Sequence, residues 1–210
     1  PEAAPAVYLD HLATTPVDPR VLEAMLPYFT EHIGNPNSKT HAYGWAAADA
    51  VDRARQQVAA LIGAQAREVV FTSGATEANS LAIRGVLDAV QRPDAHVVTC
   101  VTEHPAVLEC LEALEARGLA VDRVEVGRDG RLDPQRLEAA LTERTVLISV
   151  MAANNEIGAI HPLEEIGAIA RRHQILWHCD AAQAVGKIPI DVERLGGGLL
   201  SLLGHKIYGP

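Results

Sequence analysis

Five stretches of the chain carry residue types suited to catalysis. Lys206, in "SLLGHKIYGP", is an amine that can form a Schiff base with an aldehyde. Asp180 closes the apolar run "QILWHCD", where a carboxylate is costly unless it meets a cation or hydrogen-bond donors, and Gln183 follows three residues on. His104 follows "HVVTCV" and precedes Pro105, so its ring could lie on a flat ligand. Asn154 and Asn155 follow "TVLISVM" and could orient a phenolic oxygen or a carboxylate. His205 stands beside Lys206. Earlier, "EVVFTSGATE" reads as a strand, a glycine turn and a helix start. Free backbone N–H groups and the helix dipole at Gly74, Ala75 and Thr76 suit an anion there.

Singly, each has an ordinary explanation. Ser73 or Thr76 can cap a helix, His104 can cap the next one, and Asp180 can act as an N-cap. Together they are the parts of a pyridoxal-phosphate site. The phosphate would go to the helix start, the carboxylate to the pyridine nitrogen and the lysine to the aldehyde. Neither G-x-G-x-x-G nor G-x-x-x-x-G-K-[ST] is present, so a dinucleotide fold or a P-loop is not favoured.

Alternating strands and helices would position these groups. Helices are expected over "PRVLEAMLPYFTEH", 45–62 with Gly63 as its stop, "PAVLECLEALEARG", "PQRLEAAL" and "PLEEIGAIARRH", and "TSGATEANSLAIRGVLDAV" is expected to be a glycine-containing loop opening into a helix. Strands are expected over "EVVF", "HVVTCV", "LAVDRVEV", "TVLISVM", "QILWHCD" and "GLLSLL". Continuous apolar strands between amphipathic helices predict an α/β fold, a mainly parallel sheet with helices on both faces. In such sheets ligands gather beyond the carboxyl ends of the strands, where the reactive residues fall.

Composition narrows the function classes. The 210 residues are 48% hydrophobic and 21% charged, values of a globular chain with a sizeable core. A net charge of −9 without a basic block argues against a nucleic-acid or anionic-membrane surface. No apolar run approaches the roughly 18 residues of a membrane span. The opening "PEAAPAVYLD" has no basic or long apolar region, so no signal peptide is expected. Cys100, Cys110 and Cys179 are odd in number and lack C-x-x-C spacing, which fits a reducing cytoplasm. No metal site is expected.

The sequence resembles the cysteine desulfurases, the NifS/IscS-like pyridoxal-phosphate enzymes that include selenocysteine lyase-like members. The likeness runs over the whole chain. It rests on "YLDHLATTPVDPRV", "GNPNSKTHAYGWAAADAVDRAR", "VVFTSGATEANSLAIRG", "TEHPAVLE", "NNEIGAIHPLEEI", "HCDAAQAVGKIPIDV" and "GHKIYGP". It implies a fold-type-I aminotransferase-like large domain, a homodimer, and conversion of L-cysteine to L-alanine. The sulfur would lodge as a persulfide on an enzyme cysteine for a sulfur acceptor or scaffold protein of iron–sulfur cluster assembly. Lys206 would carry the cofactor, His104 stack on its ring, and Asp180 pair with its nitrogen. Gln183 would contact its phenolic oxygen, and Asn155 would lie near that oxygen and the substrate carboxylate. Thr76, His205 and the backbone of Gly74 and Ala75 would hold its phosphate.

The resemblance also carries departures. Family members continue past the Schiff-base lysine into a small domain with the nucleophilic cysteine and an arginine for the substrate carboxylate. Residues 1–210 are therefore expected to be a cofactor-binding large domain, inactive alone, with residues 1–18 reaching toward the missing small domain. Leu203 stands where many relatives have a phosphate-binding serine, and Gly196-Gly197-Gly198 where an aspartate is usual. Another enzyme of the same fold type, such as a selenocysteine lyase or an epimerase, is the alternative, as is a non-catalytic or split-enzyme fragment.

Overall fold

The computed structural model describes residues 6–210. The first five residues, part of the opening read for a leader and of the 1–18 segment, lie outside the described residues. Among the described residues, five strands form one sheet in the order β2-β1-β3-β4-β5, every neighbouring pair parallel. They are β1 (His96–Cys100), β2 (Ala120–Val124), β3 (Thr145–Ser149), β4 (Leu176–Asp180) and β5 (Leu199–Ser201). The chain runs outward from β1 to β2, then crosses back to place β3 on the other side of β1. The strand order reverses between β1 and β3, so the loops after these two strands flank a crevice.

Among the described residues, eight helices accompany the sheet: α1 (Pro19–Met25), α2 (Pro27–Thr30), α3 (Ala42–Ile62), α4 (Ala75–Val90), α5 (Pro105–Glu115), α6 (Pro134–Ala139), α7 (Leu163–His173) and α8 (Val192–Leu195). Strand alternation splits the core into two layers. Val97 and Leu147 face Ile83 and Val86 of α4 and Val107 and Leu111 of α5. Val98, Ile148, Trp177 and Cys179 face Leu137 of α6 and Leu163, Ile166 and Ile169 of α7. β1 and β3 are buried at every residue, the pattern of strands covered on both faces. α7 shows how the sequence specifies such a helix. Its apolar stripe turns inward, Glu164 and Glu165 occupy the first turn, and Arg171, Arg172 and His173 complement the dipole at the last.

Two expectations fail. "EVVF" forms no strand; Ala66–Glu68 is a single 3-10 turn and the following residues are extended but unpaired. Val70 and Phe71 are exposed, and the Arg55 guanidinium lies 4.9 Å from the Phe71 ring centroid. The apolar run has no ladder partner among the described residues, so it forms no strand there. The helix expected over "PRVLEAMLPYFTEH" breaks between Met25 and Pro27, where the proline lacks the N–H needed to bond back to the preceding turn. The glycine run at 196–198 ends α8 and turns into β5 with positive φ throughout. Gly198, at φ 118°, lies so close to Trp177 that an added Cβ would run into its carbonyl oxygen. That loop needs glycine.

Candidate active site

The reactive residues gather at the carboxyl edge of the sheet. His104 follows β1, Met151 and Asn155 follow β3, Asp180 ends β4, and Leu203, His205 and Lys206 follow β5. Gly74, Ala75 and Thr76 come from the start of α4. All line one cavity of about 450 Å³ together with Gln183, a size suited to a small ligand. A larger apolar groove of about 1240 Å³ lies apart, along α1, α2 and α3. The smaller cavity is the candidate site because the chemically competent groups converge there.

Asp180 is 5% exposed, and its oxygens are held from two sides. Asn79 of α4 donates from Nδ2 to Oδ2 at 2.7 Å, and the Ala182 amide donates to Oδ1 at 3.0 Å. Strand alternation sends Asp180 and His178 to the α4 face, opposite Trp177 and Cys179. His178 is fully buried between Ser149 (2.9 Å from Nδ1) and Ser201 (3.1 Å from Nε2). Burial lowers its pKa to about 4, against a smaller upward pull from Asp180. It is neutral at physiological pH.

His104 caps α5: the Ala106 amide donates to its Nδ1 at 3.1 Å. In the neutral ring this puts the proton on Nε2. Capping and lining the cavity thus coexist in one residue. Beside it, Glu103 is 4% exposed and accepts from the Met151 amide at 2.7 Å, while its Oε2 has no partner among the described residues. Burial pushes the Glu103 carboxyl well above the usual range, with backing from Asp180.

α4 begins differently from most of its neighbours. Side chains of Asp18, His41, His104, Asp133 and Asp191 cap α1, α3, α5, α6 and α8, but none caps α4. Ser73 is committed elsewhere, donating from backbone (2.5 Å) and hydroxyl (2.7 Å) to Glu77. The capped-turn explanation for this loop therefore does not hold. An added Cβ at Gly74 would meet only Leu203 Cδ1, at 4.0 Å. Protein packing leaves room at this glycine, on the wall of the cavity.

Near Lys206, donors converge on one oxygen. Lys206 Nζ donates to the Leu12 carbonyl at 2.5 Å, and Gln183 Nε2 donates to the same carbonyl at 2.8 Å. Lys187 Nζ in turn donates to Gln183 Oε1 at 2.7 Å. Partial burial, then repulsion from Lys206, lower the Lys187 pKa. His205 Nδ1 lies 3.0 Å from Thr14 Oγ1, and Thr15 bonds the His205 carbonyl through both its amide (2.9 Å) and hydroxyl (2.8 Å). Residues 12–15 thus lie against the lysine segment. Asn155 is the least engaged, its amide donating to neighbouring Glu156 at 3.0 Å.

Sequence reasoning did not single out Asn79, Leu12, Thr14, His178 or Lys187. Asn79 had a readable signal: it continues the buried stripe of Ile83 and Val86 at helical spacing, where a polar residue needs a partner. Lys187 had none. Cys100, Cys110 and Cys179 are all buried and unpaired, and burial raises the pKa of the Cys100 and Cys179 thiols. Among the described residues, no three His, Cys, Asp or Glu side chains form a metal-binding group. No described helix is long and apolar enough to cross a membrane.

Comparison with known proteins places the chain among relatives of known family. The chain is 56% identical over 204 residues to "Cysteine desulfurase IscS" of Anaeromyxobacter sp. (strain K), covering 97% of this chain and 50% of that protein. It is 52% identical over 213 residues to the Homo sapiens protein named "Cysteine desulfurase", covering 100% and 47%. The chain thus spans about half the length of these relatives. Among solved structures, "SspA in complex with cysteine" superposes with a TM-score of 0.94 at 39% identity, covering 97% of this chain and 58% of that one. A "NIFS-LIKE PROTEIN" gives the same score and identity, with 97% and 56% covered. The sequence profile of the aminotransferase class-V family matches residues 7–210, and the chain belongs to that family.

Proposed function

We propose that this chain is the pyridoxal 5′-phosphate-binding part of a cysteine desulfurase, acting on L-cysteine within a homodimer and serving a sulfur-acceptor protein. One observation carries the reading: an uncapped helix start, a buried carboxylate and a lysine amine face one cavity of about 450 Å³. The residues present fit the cofactor. Gly74 leaves space against the backbone, which a phosphate can occupy, and the first N–H groups of α4 are free of side-chain caps. Asp180 offers a carboxylate oriented by two donors, and Lys206 an amine.

When bound, the cofactor supplies a protonated pyridine ring that accepts electron density from the substrate carbon. The chain's own residues do the rest. Asp180 holds the ring proton, with Asn79 fixing its orientation. His104, tied to α5 through Nδ1, offers a ring face and an Nε2 proton. Gln183 and Asn155 supply amides for the phenolic oxygen. Thr76, His205 and the backbone at Gly74 and Ala75 hold the phosphate, and Lys206 Nζ is the point of attachment.

The three thiols are buried, and Cys100 and Cys179 resist ionisation, so none is suited to receive sulfur. This chain alone is proposed not to complete desulfuration. We assign it to the cytoplasm, which suits three unpaired thiols.

The test is a visible spectrum of the chain with pyridoxal phosphate, before and after borohydride. A borohydride-sensitive band that is fixed to Lys206 by mass spectrometry and absent from Lys206→Ala is expected. No band, or one retained by the variant, overturns the cofactor assignment. Sulfide or a persulfide formed from cysteine by this chain alone overturns the assigned inactivity.

A further inference from the structure

Gln183 is 8% exposed, and its amide is bonded at both ends by partners that leave no choice of orientation. Lys187 Nζ is donor only, so the atom it reaches at 2.7 Å must be the amide oxygen. The Leu12 carbonyl is acceptor only, so the atom 2.8 Å from it must be the amide nitrogen. That carbonyl also receives Lys206 Nζ at 2.5 Å. Gln183 Nε2 and Lys206 Nζ therefore aim at one oxygen, and Lys187 stands on the far side of the amide.

We propose that Lys187 is a positioning residue that locks the Gln183 amide with its N–H edge beside Lys206 and its oxygen turned away. Without this ammonium only the Leu12 carbonyl would select the orientation, and an amide that turned over would present its oxygen to the site, an acceptor where a ligand oxygen needs a donor. Lys187 itself is exposed at the surface and does not line the cavity; it acts through Gln183. It borders a separate surface depression of about 590 Å³ with Glu164, Asp191 and Arg194. Arg194 and Glu164 are already paired there, at 2.6 Å. Lys187 is bonded to Gln183 instead. A charged donor to a buried amide is among the stronger hydrogen bonds, strong enough to decide which way the amide points.

The inference rests on the proposed function, since it takes the ligand oxygen beside Lys206 to be that of pyridoxal phosphate. The test separates the two. In the cofactor-free chain, the ¹⁵N side-chain amide signals of Gln183 are identified by their loss in Gln183→Ala. They are expected to move in Lys187→Met and to return near their original positions in Lys187→Arg, which restores a charged donor. In the presence of pyridoxal phosphate, Lys187→Met is expected to weaken binding about tenfold and to shift the visible band. On a Gln183→Ala background the same change should weaken binding no further. Unmoved amide signals in Lys187→Met, failure of Lys187→Arg to restore them, or additive losses in the double variant would each overturn the inference. If wild type takes up no pyridoxal phosphate, the proposed function falls, and the amide signals alone decide the role of Lys187.

Discussion

His178 joins three strands through its two ring nitrogens, to Ser149 on β3 and Ser201 on β5, beneath the carboxylate of Asp180. Its pKa falls from 6.5 to about 4, so the folded state refuses a proton that the unfolded chain accepts. Stability is therefore complete above pH 6.5 and is lost as pH falls toward 4, by about 3 kcal/mol from this group. Burial also lowers the pKa of His96 and His161, which lean the same way. Glu103 opposes them. Its folded value lies above 4.5, so its contribution is complete below that pH and is lost as pH rises through the folded value. A glutamine side chain in place of Glu103 would mimic the neutral carboxyl and keep the acceptor for the Met151 amide. Glu103→Gln is therefore expected to gain stability over wild type as pH rises above 4.5, and to show a steeper acid loss between 6.5 and 4. Urea midpoints measured from pH 4 to 8 check this; a constant difference across that range contradicts it.

Elements place these residues through their ends. β1, β3, β4 and β5 all finish at one edge of the sheet, and each is followed by residues of the cavity. The β4–β5 pairing aligns Asp180 with Ser201, which sets the carboxylate close to the start of the lysine segment. That pairing depends on the turn at 196–198. Gly198→Ala puts a side chain at φ 118° and against the Trp177 carbonyl, and is expected to cost more than about 2 kcal/mol. Thermal unfolding would register a clear fall in Tm. An unchanged Tm would mean that the loop relaxes without harm. Sequence patterning recovered these elements well where both faces of a strand are covered, as in "HVVTC" and "TVLIS". It failed at "EVVF", because an apolar run becomes a strand only when a neighbour offers a ladder of hydrogen bonds. It also joined α1 to α2 across Pro27, where periodicity continued but the backbone donor did not.

At the scale of the whole molecule, a buried two-layer core contrasts with apolar surface on the N-terminal helices. Phe29, Ile33, Tyr43 and Trp45 are each more than half exposed, and a groove of about 1240 Å³ is lined by Val21, Met25, Tyr28, Ile33 and Phe71. Contiguous apolar surface of this kind marks an interaction face. The sheet adds two edges, β2 and the three-residue β5. The chain is expected to form dimers or larger species at micromolar concentration. Multi-angle light scattering reads this directly, and a monodisperse monomer contradicts it.

The sequence by itself determined the fold class, because the period of apolar residues decides whether a segment can be buried on one face or on two. It also singled out Lys206, Asp180, His104 and the Gly74 turn, because their side-chain chemistry and their places after apolar runs are local facts. The tertiary structure decided what those groups do to each other. Asn79 reaches Asp180 across 101 positions, and the Leu12 carbonyl meets Lys206 across 194. Lys187 looks in sequence like any surface lysine until the turn after β4 brings its ammonium to Gln183. The first two contacts depend on distances between segments far apart in the chain, which only packing sets, whereas the Lys187 contact joins residues four apart and needs the turn over 182–187 to form.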